Sequence, residues 1–312
     1  MVNYSNIWKQ LCFFQSASAT QKFLKKQYEQ RQIEQNSAKS TENCYPFMYY
    51  LEQAEIYYNQ AAAAPFSIRP LLLFYGLTHL FKALLLAVDP DYPENTSVLA
   101  HGVSSRKRKK QAFHFFQDEI KIQKHGLFPH FTKKCFNLPS LEGEKVQMSD
   151  LFLNIPELDD TYLFLKKESH IMEIIEEQPH IFFIPNLTKM EEIKDYLQKY
   201  FANKVTWLEN KKEEALLFRL DCQKPLAAPF RYHLYKKHYC LPAKQNKLSL
   251  YPELLSHYLM LYNLSMIARY ETSWWCRFLK STPTNDYPLI HSFLQITLEK
   301  TPFLAFQYLT AD

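Results

Sequence analysis

The stretch PLLLFYGLTHLFKALLLAV, residues 70–88, is the most apolar run of the chain, and its reading decides how the rest is arranged. It is almost long enough to cross a bilayer as a helix, yet His79 and Lys82 interrupt it. A lysine at the centre of a membrane helix costs roughly 2.5 to 3.5 kcal/mol, so the run reads as a buried helix of a soluble protein. Because it is apolar nearly all round, it predicts a central helix covered by others on most sides. Ser67 is read as its N-cap, and Asp89, Pro90, Asp91 and Pro93 stop it.

Upstream, Phe47, Leu51, Ala54, Tyr58 and Ala61 recur at helical spacing, which predicts a helix from Pro46 to near Pro65. A polar linker, QNSAKSTEN at 35–43, separates it from one or two amphipathic helices within 5–35 that carry Trp8, Leu11, Phe14, Leu24 and Tyr28. Downstream, EIKIQKHGLFPHF (119–131) reads as two strands joined by a tight turn at Gly126. Further strands are expected over 180–186, 213–221 and 231–241, with a helix begun by Thr188 between the first two. Helical spacing returns in YPELLSHYLMLYNLSMIARYETSWW (251–275), and a last helix is expected over 285–299. The fold class is therefore α+β and mainly helical. An N-terminal helical part, 1–112, and C-terminal helices, 246–312, are expected to pack on each other around an α+β insertion, 113–245. Two independent domains are the alternative.

Composition narrows the function. Hydrophobic residues make up 47% and charged residues 22%, the balance of a folded globular chain. Only 4 glycines stand among 312 residues, and neither GxGxxG nor GxxxxGK[ST] occurs, which removes the main support for Rossmann and P-loop nucleotide folds. The N-terminal MVNYSNIWKQL lacks the pattern of a secretory signal, and six scattered cysteines without a CxxC fit a reducing cytoplasm. Cys222, His233, His238 and Cys240 do not have the spacing of a common zinc module, so no metal and no cofactor is implied.

Charge is segregated. Residues 101–134 hold nine Lys or Arg against Asp118 and Glu119, and 231–247 add five cations and no acid, which leaves the remainder net acidic. Arg106, Lys107, Arg108, Lys109, Lys110, Arg231, Lys236 and Lys237 are the candidate phosphate contacts, with Phe113, Phe115, Phe116, Tyr232 and Tyr235 interleaved as stacking groups. A solvated basic loop is the alternative. Tyr75, His79 and Lys82 share one face of the central helix, where a histidine and a lysine must find polar partners or lose charge. Gly102 is expected to turn the chain so that His101 faces that helix while Ser104 and Ser105 face solvent. Arg269, on a largely apolar face, either pairs with Glu271 or Glu253 or meets an anionic ligand.

PLLLFYGLTHLFKALL, LAHGVSSRKRKK, the KHGLF turn and YPELLSHYLMLYNLSMIARYETSWW, in that order, resemble the bacterial YaaC-like protein family through nearly the whole chain. That family carries no settled biochemical function, so the resemblance implies an architecture. The helical ends also resemble the HEPN group of small helical bundles, many of them RNA-acting and dimeric. Its catalytic pattern, arginine followed shortly by histidine, is matched by Arg108 to His114 and by Arg231 to His238, although the second pair falls in a predicted strand. The expected function is a cytoplasmic protein that binds RNA or another polyphosphate or nucleotide through its basic face. HEPN-like hydrolysis would draw on His79, His101, Arg108, His114 and Arg269. A non-enzymatic helical protein that binds a partner or a second copy is the alternative, and no membrane is expected.

Overall fold

A computed structural model describes residues 7–105, 113–187, 190–209, 214–221, 228–244, 247–281 and 284–311. In chain order the elements are α1 (Ile7–Leu11), α2 (Ala17–Gln30), α3 (Asn36–Ala63), α4 (Arg69–Val88), β1 (Val103–Ser105), β2 (Glu119–Ile122), α5 (Leu127–Phe136), β3 (Lys145–Gln147) and α6 (Met148–Phe152). There follow α7 (Asp159–Lys166), β4 (Ile171–Gln178), β5 (Ile181–Ile184), α8 (Met190–Phe201), β6 (Val205–Leu208), β7 (Leu216–Leu220), β8 (Arg231–His233) and β9 (His238–Pro242). The chain ends in α9 (Glu253–Tyr270), α10 (Thr272–Ser281) and α11 (Asp286–Thr310). The protein is thus α+β and mainly helical. It divides into two compact units, Met1–Phe152 with Leu254–Asp312, and Leu153–Glu253.

In the first unit α4 is the core. It is the one helix among the described residues long and apolar enough to cross a membrane, and 67% of its apolar window is buried. Phe74 and Phe81 are fully buried; Phe81 stacks on Phe131 of α5 and on Tyr258 of α9, and Phe74 meets Tyr258 and Tyr262 edge-on. Gly76 leaves room for the buried ring of Tyr58, so α3 and α4 lie close together. Ser67 does not cap α4; the capping position is Ile68, and the Ser67 carbonyl instead accepts from Trp275 Nε1 at 2.8 Å.

One expected linker is helical, and the last helix runs further than expected. The supposed linker 35–43 is the start of α3, because Ser40, Asn43 and Cys44 are buried and Asn43 Nδ2 donates to the Pro90 carbonyl at 2.8 Å. The tail beyond 299 continues α11, with Phe303, Ala305 and Leu309 buried and Tyr308 Oη donating to the Cys135 carbonyl at 2.9 Å.

Residues 113–152, which the sequence places in the insertion, belong to the first unit. There β1, β2 and β3 form an antiparallel sheet, Phe152 packs on Phe293 of α11, and Asn263 of α9 donates to buried Asp118 at 2.8 Å. Nor is KHGLF a hairpin. After β2 the chain enters α5, whose Leu127, Phe128, Phe131 and Thr132 are buried at helical spacing.

In the second unit six antiparallel strands run in the order β6-β7-β5-β4-β9-β8. The amphipathic α8 buries Ile193 and Leu197 against Ile174, Phe182, Ile184, Phe218 and Leu241 of that sheet and against Phe230 just before β8.

Candidate functional site

The site begins with a stripe on α4. Most of this helix is buried, but Leu71, Leu72, Tyr75, His79 and Lys82 are only partly so, and the last three lie along one line of the helix. From α3, Tyr57 lies flat over His79, with ring centroids 5.5 Å apart and planes at 17°, and stacks also on Tyr75 at 5.9 Å. Tyr50, seven residues earlier and so on the same face of α3, has the Lys82 ammonium 5.5 Å from its ring centre and His79 at 6.0 Å.

The segment after α4 supplies His101. Two of the four glycines hold it in place. Gly102 adopts φ +79°, and any Cβ on it would run into Pro129 Cδ; a Cβ on Gly126, at φ +129°, would run into the Gly102 backbone. The two His-Gly pairs are therefore in direct backbone contact, which only glycine permits. Hydrogen bonds close the junction, from Leu127 N to the Ala100 carbonyl at 2.7 Å and from Phe128 N to the His101 carbonyl at 3.2 Å. These satisfy two donors of the first turn of α5. Tyr258 Oη donates to the same His101 carbonyl at 2.9 Å. The His101 ring consequently faces inward, edge-on to Phe74 at 5.0 Å and beside Tyr262 at 5.8 Å.

Arg269, in the last turn of α9, completes the group. Its Nη2 reaches only Met266 Sδ at 3.1 Å, its Cζ lies 5.0 Å from the ring centre of Tyr270, and its buried Nε has no hydrogen-bond partner among the described residues. No carboxylate among the described residues pairs with Arg269 or Lys82, so neither Glu271 nor Glu253 plays that part.

The electrostatics follow from burial next to like charge. The His79 imidazole is held down to about 4, first by burial and then by Lys82, and its buried Nδ1 has no partner among the described residues. Burial, then Arg269 and Lys82, lowers His101, and burial lowers Lys82. Near neutral pH both rings are neutral, each offering one donor and one acceptor.

The remaining expected residues lie elsewhere. Arg106, Lys107, Arg108, Lys109 and Lys110 lie outside the described residues. His114 is exposed just before the short turn Phe115–Gln117. Arg231, expected as a phosphate contact, is 2% exposed, and its guanidinium donates to the carbonyls of Phe230, Ser249 and Tyr251 at 3.1, 3.1 and 2.8 Å. It is an internal cation of the second unit and no surface ligand. Lys236 pairs with Asp160 at 2.9 Å, and Lys237 is exposed at φ +57° in the turn between β8 and β9. His238 faces Glu173 at 2.6 Å, so the Arg231 to His238 match spans a hairpin of structural contacts.

Two metal-like groups are accounted for by their neighbours. Asp89, Glu94 and His130 bring ligand atoms within 4.8 Å of one another, but Lys134 Nζ sits 3.2 Å from Asp89 and 2.8 Å from Glu94. An ammonium already neutralises those carboxylates. Cys240 Sγ donates to the Arg231 carbonyl at 3.5 Å, and Cys222 lies outside the described residues.

Residues 12–309 match the YaaC-like protein family, nearly the whole chain. The chain belongs to the YaaC-like family. No curated protein and no solved structure matches it. The segments that carry the YaaC-like resemblance supply α4, the His101-Gly102 pair, the Gly126 junction and α9, so all four contribute to one packed cluster of the first unit. Sequence reasoning missed Tyr50 and Tyr57. Their seven-residue spacing puts them on one face of α3, a signal that reads equally well as core.

Proposed function

We propose that this YaaC-like protein binds a phosphate-bearing ligand, RNA or another polyphosphate or nucleotide, at the side chains that α3, α4, the His101 segment and α9 contribute around His79 and His101. The observation that carries the reading is that Lys82 and Arg269, neither paired with a carboxylate among the described residues, both bear on the His101 imidazole, with Lys82 bearing also on His79. Uncompensated, partly buried cations cost stability, and an anion relieves that cost. The tyrosines add stacking surface, and Tyr270, 68% exposed with Arg269 over its ring, is placed to receive a base.

Binding is the function proposed, in the cytoplasm and without a membrane. A HEPN-like arrangement of the terminal helices is part of the same proposal. A HEPN-like nuclease would need an arginine–histidine pair facing the substrate, and here His79, His101 and Arg269 are the groups that could serve. The test is a titration of labelled single-stranded RNA over a salt series, with the same samples run on a denaturing gel. Affinity that falls steeply with salt supports the reading, and strand cleavage in the gel extends it to hydrolysis. Absence of binding at low salt overturns it. A non-enzymatic interaction or dimerisation role is the second reading, favoured by the exposed Tyr45, Tyr49 and Ile56 along α3; it predicts a salt-tolerant assembly.

A further inference from the structure

A small cleft lies where α1 and the turn Cys12–Gln15 meet α3, a part of the first unit that phosphate binding does not use. It measures about 260 Å³ with its open mouth included. Sites for drug-sized ligands begin at roughly 300 Å³, so this one admits a single compact group. Its apolar lining includes Trp8, Leu11, Phe14 and Leu51, and its polar lining includes two carboxylates, Glu52 and Glu55. The aromatic side chains are held in place. The Trp8 ring lies 5.3 Å from that of Tyr58, and Phe14 meets Phe23 and Phe47 edge-on at 4.9 and 5.3 Å. Leu11 and Leu51 are buried.

Glu52 and Glu55 stand three residues apart on α3, so their like charges share one side of the helix. Glu52 is exposed and Glu55 half-buried, and no cation among the described residues forms an ion pair with either. Burial, and then Glu52, raise the Glu55 carboxyl above its ordinary value, as for a carboxylate without a counter-ion.

Aromatic surface beside uncompensated carboxylates favours a cation whose charge is spread over an apolar surface. A quaternary ammonium meets both demands: its methyl groups lie on rings and aliphatic side chains, and its charge is drawn to ring faces and to the glutamates. A primary ammonium is strongly hydrated and carries three donors, so it loses more on leaving water for this lining. An anion bonded close to the cation, as in a phosphocholine headgroup, would face the same two glutamates and be repelled. We propose that this cleft binds a small trimethylammonium solute that carries no adjacent anionic group. None of the residues around His79 and His101 takes part, so this site stands or falls apart from phosphate binding.

The experiment uses the full chain at pH 7 and constant ionic strength. The probes are choline, its uncharged isostere in which a tert-butyl group replaces trimethylammonium, and ethanolamine, each followed over a concentration series by saturation-transfer NMR. Choline should bind saturably with a Kd of about 1 mM or tighter. The isostere and ethanolamine should each bind about tenfold or more weakly, the first because it has no charge and the second because its desolvation is costlier. Glu52→Gln combined with Glu55→Gln keeps side-chain size at two positions that are not buried; it should weaken choline about tenfold while the melting temperature stays near that of the parent. Equal affinity for choline and its isostere overturns the cation assignment, and ethanolamine binding as tightly as choline overturns the trimethylammonium class. Undiminished affinity in the double variant overturns the location. Absence of saturable choline binding overturns the inference outright. Phosphatidylcholine vesicles, spun down with the protein, should leave it in the supernatant; co-sedimentation that choline competes away overturns the assignment to a free solute.

Discussion

Replacing Gly126 by alanine tests the junction that aims His101. Gly126 sits at φ 129°, ψ 178°, a region open essentially to glycine alone, where another residue costs about 1 to 3 kcal/mol. The new Cβ would also run into Gly102 Cα and N and lie 2.9 Å from the Ala100 carbonyl oxygen, all backbone atoms that cannot swing away. Forcing a methyl into such packing adds roughly 1 to 3 kcal/mol. The sum is about 4 kcal/mol, which for a unit of this size lowers the melting temperature by roughly 8 to 16 °C. Gly143→Ala is the control, because Gly143 also has positive φ, +81°, but nothing within 4 Å of its Cβ position. Backbone strain of about 1 to 2 kcal/mol, partly offset by lower entropy of the unfolded chain, predicts a loss of only about 3 °C there. Calorimetric melting of the full chain and both variants makes the comparison. If Gly126→Ala melts within 3 °C or so of Gly143→Ala, the contact between the two His-Gly pairs does not hold the site together, and the account of His101 fails.

Lys82→Met should weaken phosphate binding yet leave the fold at least as stable, because it removes a cation that has no acidic partner; NMR titration should show His79 rising from about 4 toward its ordinary value. The pH dependence of stability has a defined sign: the unfolded imidazole binds its proton near pH 6.5 and the folded one near 4, so stability is full above about pH 6.5 and declines as pH falls toward 4. The urea midpoint should therefore drop between pH 7 and pH 5, and drop less in His79→Gln. Arg231→Met removes the donor to the carbonyls of Phe230, Leu248, Ser249 and Tyr251 inside the second unit and should cost about 3 kcal/mol or more by denaturant titration, while RNA affinity is unchanged.

Much of this arrangement was legible in the chain. Continuous apolar character with two polar interruptions marked α4 and, in the same stroke, His79 and Lys82 as the groups in need of partners. What failed were boundaries decided by tertiary contacts. QNSAKSTEN looks like a linker by composition, yet Asn43 finds buried partners and the segment is helical. KHGLF carries the glycine of a hairpin, but Gly126 is demanded by Gly102, a residue 24 positions earlier, and no local pattern reports a contact between two backbones. RYHLYKKHYC was read as one strand, but it folds back on itself as a hairpin of β8 and β9 with a turn over 234–237, and the burial of Arg231 depends on the carbonyls of 249 and 251, which its own pattern does not report. The alternation that marks a strand says nothing about which cation is enclosed.

The order in which these pieces leave the ribosome adds a last consequence. The apolar α4 packs on α9 and α11, but Leu254 follows Val88 by 166 residues. At roughly 5 to 20 residues per second, the nascent chain carries a membrane-like helix without its cover for about 8 to 33 s. Over that interval α2 and α3 shield part of it, and the rest is a surface for chaperones. The unfinished chain is therefore expected to need more protection from aggregation than the finished fold, which translation in vitro with and without an added chaperone would show as a difference in soluble yield.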